Sequence, residues 1–171
     1  MRSKKLIINL IALFSAAILT GLDQLTKKLV VKSVTENGDI QVIDKVFRIT
    51  FVKNTGAAWG LFKDGTVVLS IFSLLVLTVM VVLYFRLDWS VKKQRPLMVL
   101  SVFVAAGAVG NLIDRIFLKY VIDFLYFELI NFPVFNVADC YITVSMFILA
   151  ALLIFYYKEE DFESIWRKRS H

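Results

Sequence analysis

Four apolar runs, at 6–22, 66–85, 96–113 and 137–157, contain one charged residue between them, Asp139. Each approaches or exceeds the ~20 helical residues that cross a ~30 Å hydrocarbon core. In lipid every backbone N–H and C=O must be satisfied within the protein, so runs of this kind fold as spanning helices. The chain is 58% hydrophobic with a mean hydropathy of +0.72, more apolar than a soluble domain of 171 residues requires. The pattern predicts an α-helical polytopic membrane protein with four transmembrane helices. Arg2, Lys4 and Lys5 ahead of the first run look like the start of a secretory signal. That run leads into Asp23 without a small-x-small cleavage site and without a lipobox cysteine, so it is read as a retained span.

Four spans put both termini on one side, and basic residues indicate which. Eleven Lys and Arg fall in the 29 residues of 1–5, 86–95 and 158–171, against nine in the 66 residues of 23–65 and 114–136. The termini are therefore expected in the cytoplasm, and the formal net charge of +6 reflects topology. No nucleic-acid motif accompanies it.

The outer segment 23–65 is too long for a simple connector. It continues helically past the membrane surface, then meets a turn signal at Asn37-Gly38-Asp39. Beyond the turn, Ile40 and Val42, then Phe47, Ile49 and Phe51, alternate with polar neighbours, which is the period of a half-buried strand. A small sheet on the bilayer surface is expected, with Asn54-Thr55-Gly56-Ala57-Ala58-Trp59-Gly60 as its exit loop and Trp59 and Phe62 as headgroup anchors. The second outer segment, 114–136, is aromatic-rich and is expected to lie in the interface. The tail from Lys158 to His171 reads as a short surface helix or disorder.

Absences narrow the chemistry. The single cysteine, Cys140, allows no intramolecular disulfide. The one histidine is His171, so neither a His-rich zinc site nor a Ser-His-Asp triad has its ligands, and no metal or other cofactor is expected. Carboxylates remain. Asp139 opens a membrane-length run, where a charge is costly and marks a functional site by default. Threaded through a bilayer, Asp23, Asp114 and Asp123 fall at the same level on the same side.

Asp123 lies in Val121-Ile122-Asp123-Phe124, among apolar neighbours whose burial penalises the charged form. If Asp123 and Asp139 converge, one ionises and can take a proton from water attacking a peptide carbonyl, while the other polarises that carbonyl. Pattern alone leaves open that each acid is a lone interfacial residue, with Asp139 capping its helix. Asn111 and Asp114 share a helix face, and Ala106 and Gly110 make a small-residue face for close helix contact. These read either as support for a site, with Arg115 on a substrate carbonyl or lipid headgroup, or as packing with an interfacial Asp-Arg pair. Asp23 and Lys27, four apart, have the spacing of a modest helical ion pair. Asn136 has the position of an N-cap, Asn54 and Gly56 those of a turn, and Cys140 reads as packing.

Taken together, Asp23-Gln24-Leu25-Thr26-Lys27, Asn54-Thr55-Gly56-Ala57-Ala58-Trp59-Gly60, Gly110-Asn111-Leu112-Ile113-Asp114-Arg115, Val121-Ile122-Asp123-Phe124 and Phe135-Asn136-Val137-Ala138-Asp139 occur in one order across the four spans. That pattern, from about residue 20 to residue 145, resembles the bacterial lipoprotein signal peptidases, also called signal peptidase II. The resemblance implies a metal-independent aspartyl endopeptidase of the bacterial plasma membrane. Such an enzyme cuts a prolipoprotein's signal peptide just before a diacylglyceryl-modified cysteine. It implies a fold of four membrane helices, a small extracytoplasmic sheet cradle and a short interfacial helix. The implied catalytic dyad is Asp123 and Asp139; Asn54, Asn111, Arg115 and Asn136 fall on substrate-contacting positions, and Asp23, Lys27, Gly56 and Asp114 on supporting ones. The expected partners are the lipidated prolipoprotein and membrane lipid, with the chain a monomer. Two positions depart from the family pattern: Cys140 where a serine is common, and Ser145 where a glycine is common.

A transporter and an assembly protein are the competing classes. Transporters put polar groups near the midplane, often in broken helices, whereas here the middles of the spans are uncharged. An assembly protein explains the small-residue face and the aromatic belt but not the acids and asparagines gathered at one boundary.

Overall fold

The computed structural model describes residues 2–56 and 65–161. Four helices, α1 (Arg2–Asn37), α2 (Thr66–Arg86), α3 (Arg95–Phe117) and α4 (Val137–Phe155), are long and apolar enough to cross a membrane. Three strands, β1 (Ile40–Ile43), β2 (Phe47–Asn54) and β3 (Val121–Phe127), form an antiparallel sheet in the order β1-β2-β3. Among the described residues the remaining named helical elements are single 3-10 turns, Lys92–Gln94 and Glu128–Ile130. The expected anchors Trp59 and Phe62 and most of the tail lie outside the described residues.

α3 is the centre of the bundle, with 56% of its most apolar stretch buried, against 6%, 6% and 11% for α1, α2 and α4. The outer helices instead turn residues such as Phe14, Val67, Phe147 and Phe155 outward, as helices solvated by hydrocarbon do. Small residues explain why α3 is the hub. A Cβ at Gly107 would lie 2.5 Å from Ala138 O, and one at Gly110 would lie 2.6 Å from Asp23 Oδ2. The Ala106–Gly110 face meets α1, where Thr20 Oγ1 donates to Ala106 O, while Gly107 meets the start of α4.

At 36 residues, α1 is about 54 Å long, well over the hydrocarbon thickness, so its C-terminal turns stand clear of the span. It ends where Gly38, at φ +78°, lets its N–H reach Val34 O. α3 also runs a turn beyond the expected boundary at 113, which keeps Asp114 and Arg115 helical. The stretch 121–127, within the segment expected in the interface, forms the third strand; β-branched and aromatic residues suit it to that role.

Two details of the sheet position asparagines against β3. Ile49 pairs with Leu125 but Val52 pairs with Asp123, so β2 holds one extra residue at a bulge. Opposed residues share a face, and beyond the bulge that face includes Val52 and, two residues on, Asn54. Without the bulge Asn54 would point away from Asp123. After β3, the chain turns back and Phe135 bridges Leu125, its N–H donating to Leu125 O at 3.1 Å. That clamp delivers Asn136, the next residue, beside β3.

Candidate active site

Asp139 occupies the third position of α4. Its Oδ2 accepts the backbone N–H of Asn136 at 3.1 Å, and Asn136 Oδ1 accepts the backbone N–H of Asp139 at 3.0 Å. This capping box satisfies two helix-end donors locally. The capping role that sequence assigned to Asn136 is real, and it is only half of what this residue does. Its Nδ2 also donates to Asp123 Oδ1 at 2.7 Å and to Asn111 Oδ1 at 3.0 Å. One fully buried residue therefore connects both carboxylates, Asp139 through its backbone N–H and Asp123 through its side-chain amide.

Asp123 is 2% exposed, between the buried Ile122 and Phe124. Its second oxygen accepts Asn54 Nδ2 at 2.7 Å, and Asp139 Oδ1 accepts Asn111 Nδ2 at 2.8 Å. Burial first, and then the charge of Asp139, push the Asp123 carboxyl up to about 7, against the amide donors and the Lys27 charge, which favour ionisation. A carboxyl so placed exchanges its proton near neutral pH, as general acid–base work requires.

Three asparagines present amide N–H groups to these acids, and each is oriented by a group that can only donate. Asn111 Oδ1 accepts the Lys27 ammonium at 3.1 Å. Asn136 Oδ1 accepts the Asp139 N–H, and Asn54 Oδ1 accepts the Gly56 N–H at 2.9 Å. With the carbonyl end committed, the NH₂ end of each must face a carboxylate. Asn111 thereby gains the purpose that packing left unexplained.

Behind the dyad lies a buried ion cluster. Lys27 Nζ is 2.9 Å from Asp23 Oδ2 and 2.9 Å from Asp114 Oδ2, with side-chain exposures of 1%, 0% and 2% respectively. The Asp23-Lys27 pair is thus no surface helical pair: its ammonium spends three donors on two carboxylates and Asn111. Asp23 Oδ1 accepts the Ala138 N–H at 2.9 Å, tying α1 to the start of α4. Asp114 Oδ2 accepts the Ile122 N–H at 3.1 Å, tying α3 to β3 one residue before Asp123. The four acids are brought together, with Asp23 and Asp114 paired to Lys27, and Asp123 and Asp139 held by asparagines.

Gln24 was missed in the sequence. Its Nε2 reaches Asp114 Oδ1 at 2.9 Å and Gly110 O at 3.1 Å, fixing the second oxygen of Asp114. Its sequence signal was its place in the stretch Asp23-Gln24-Leu25-Thr26-Lys27, where no role was assigned to it. Arg115 Nη1 donates to Ser73 Oγ on α2 at 3.3 Å, so the guanidinium is half-buried near the dyad while most of its donors stay unspent on that contact. Cys140 is half-buried next to Asp139.

The family described as Signal peptidase (SPase) II matches residues 15–155. Lipoprotein signal peptidase of Gloeothece citriformis is 46% identical over 131 residues, covering 75% of this chain and 79% of its own. That of Clostridium acetobutylicum is 38% identical over 135 residues, covering 77% and 86%. Among solved structures, a bacterial membrane enzyme determined by the in meso method at 2.3 Å is similar at a TM-score of 0.70. It shares 29% identity over 87% of this chain and 92% of its own.

Proposed function

The chain belongs to the signal peptidase II family of membrane peptidases, and on that premise we propose that it is an aspartyl endopeptidase working at the membrane–water boundary. Its substrate is a prolipoprotein whose cysteine already carries a diacylglyceryl group, and it cuts the bond just before that cysteine. The observation that carries this reading is the bridging of Asp123 and Asp139 by Asn136, with the Asp123 carboxyl raised to about 7. Near neutral pH such a pair holds one proton and titrates as a unit. The ionised member takes a proton from water as its oxygen adds to the scissile carbonyl, and the protonated member donates to the carbonyl oxygen. On collapse, the C–N bond breaks and the leaving nitrogen takes a proton from the pair. Neither a metal nor a covalent enzyme intermediate is required.

Asn54, Asn111 and Asn136 hold the acids; both amide hydrogens of the buried Asn136 are given to Asp123 and Asn111, so the substrate backbone is met by Asn54 and Asn111, and the remaining Arg115 donors suit a peptide carbonyl. Asp23, Lys27, Gly56 and Asp114 keep these groups in place. A diacylglyceryl chain needs hydrocarbon while the scissile bond needs water and acids, and the outer end of α3 and α4 meets both demands. This reading puts the protein in the bacterial plasma membrane as a monomer, with cytoplasmic termini and the sheet outside.

The test is cleavage of a purified diacylglyceryl-modified prolipoprotein in detergent by wild type and Asp139→Asn, each with and without a chelator. Chelator-resistant cleavage lost in Asp139→Asn is the expected result. Cleavage that survives the substitution refutes the dyad, and cleavage abolished by chelator refutes the metal-free mechanism.

A further inference from the structure

The far end of the bundle, away from the dyad, carries a second feature that the peptidase reading does not use. α1 and α2 both pack on α3 and leave a cleft between them. Its deeper part is an apolar trough of about 260 Å³, walled by Ile11, Ala12 and Ser15 of α1 and floored by Val99, Val102 and Phe103 of α3. The trough opens into a wider cavity of about 780 Å³, and the two share Ile8, Tyr84, Trp89 and Met98. The wider part is polar in a specific way. Lys4, Lys5 and Arg95 line it, with Asp88 as the one acid among the described residues.

Lys4, Lys5 and Arg95 form no ion pair among the described residues. Arg95 is held in position: its Nε donates to Trp89 O at 2.7 Å and its guanidinium carbon lies 5.6 Å from the centre of the Trp89 ring. Tyr84 Oη donates to Asn9 Oδ1 at 3.3 Å across the mouth between α1 and α2. The cations and Trp89 mark the depth of the headgroups. From Ile8 to Ser15 the trough then descends about 10 Å along α1, within one ~15 Å leaflet.

We infer that this cleft is a binding site for one anionic phospholipid, with its phosphate among Lys4, Lys5 and Arg95 and an acyl chain in the trough. Among the described residues, three cations against one carboxylate favour a net negative headgroup over a zwitterionic one. Continuity of the charged mouth with a dry trough favours a lipid over a free phosphate, which would leave the trough empty. The site lies on α1 and α3, the helices that supply Asp23, Lys27, Asn111 and Asp114, so its occupant packs against the scaffold of the dyad from the opposite leaflet.

Native mass spectrometry of the full-length, delipidated protein in neutral detergent tests this by titration with phosphatidylglycerol, phosphatidylcholine of the same chains, and inorganic phosphate. Wild type is expected to hold one phosphatidylglycerol at least about tenfold more tightly than phosphatidylcholine, with inorganic phosphate failing to displace it at comparable concentration. Lys4→Gln/Lys5→Gln, on the exposed start of α1, removes the preference. Ala12→Phe fills the trough and weakens both lipids while leaving the charges in place. Retained thermal unfolding transitions establish that each variant is folded. Equal retention of the two lipids, displacement by phosphate at comparable concentration, or unchanged binding in both folded variants overturns the assignment.

Discussion

Asp123→Asn separates the energetic consequence of the Asp123–Asp139 pair from the catalytic role proposed for it. In the unfolded chain an aspartate titrates near ~3.9, while the folded carboxyl titrates at about 7. The folded-state value is the higher one, so the contribution of this group to stability is fully present below ~3.9. It is lost as pH rises through about 7, because the folded protein then gives up a proton it holds more tightly than the unfolded chain does. Three units at 1.36 kcal/mol each make that loss about 4 kcal/mol. Asparagine cannot ionise and carries no such dependence. It faces the Asn54 and Asn136 amides less well, which adds a pH-independent offset. The difference in unfolding free energy between variant and wild type is therefore expected to move by about 4 kcal/mol in the variant's favour between pH 4 and pH 8, whatever the offset. For a chain of this size that is a relative Tm shift on the order of 10 °C. Thermal unfolding of both proteins in one detergent across that range reads it directly. A difference flat with pH, or one that moves toward wild type as pH rises, refutes the claim that Asp123 is held protonated by burial and by Asp139.

The packing around the dyad makes three further outcomes testable. Lys27→Met leaves Asp23 and Asp114 buried without their cation and removes one of the two donors to the Asn111 carbonyl, so a loss of about 3–5 kcal/mol is expected; a variant as stable as wild type in thermal unfolding contradicts the cluster's role. Gly110→Ala puts a methyl 2.6 Å from Asp23 Oδ2, an oxygen already held by Lys27, and is expected to cost about 1–3 kcal/mol and to slow cleavage. Gly21→Ala on α1, where a Cβ meets nothing within 4 Å, is the control and is expected to be neutral or stabilising. Cys140→Ser, assayed by prolipoprotein cleavage, keeps near-wild-type activity; an inactive folded variant shows that the thiol takes part in the chemistry.

Much of the site was legible because its signals are local. The capping box joins Asn136 to Asp139 over three residues of one helix, and Asn111 and Asp114 share a face by helical spacing alone. Asp123 announced itself as an acid among apolar neighbours. What local pattern misjudged was environment. Asp23 and Lys27 have the spacing of an exposed pair, and only the approach of α3, made possible by Gly110, encloses them. β3 was obscured by its own composition, since its aromatic and aliphatic residues suit an interface as well as a strand.

The sequence by itself determined the four spans, the sheet-forming segment after Gly38, and the placement of every acid of the site at one end of the helices. Those properties come from hydropathy and period, which each segment expresses alone against lipid or water. Tertiary structure alone decided that α3 is the hub, that Lys27 serves two acids and an asparagine, and that a bulge turns Asn54 onto the face of Asp123. It also decided that the Leu125–Phe135 bridge lays Asn136 beside β3. Each of these depends on register or approach between residues far apart in the chain. A one-residue slip in β2 changes no hydropathy and leaves the local pattern intact, yet it turns the Asn54 side chain away from the carboxylate it serves.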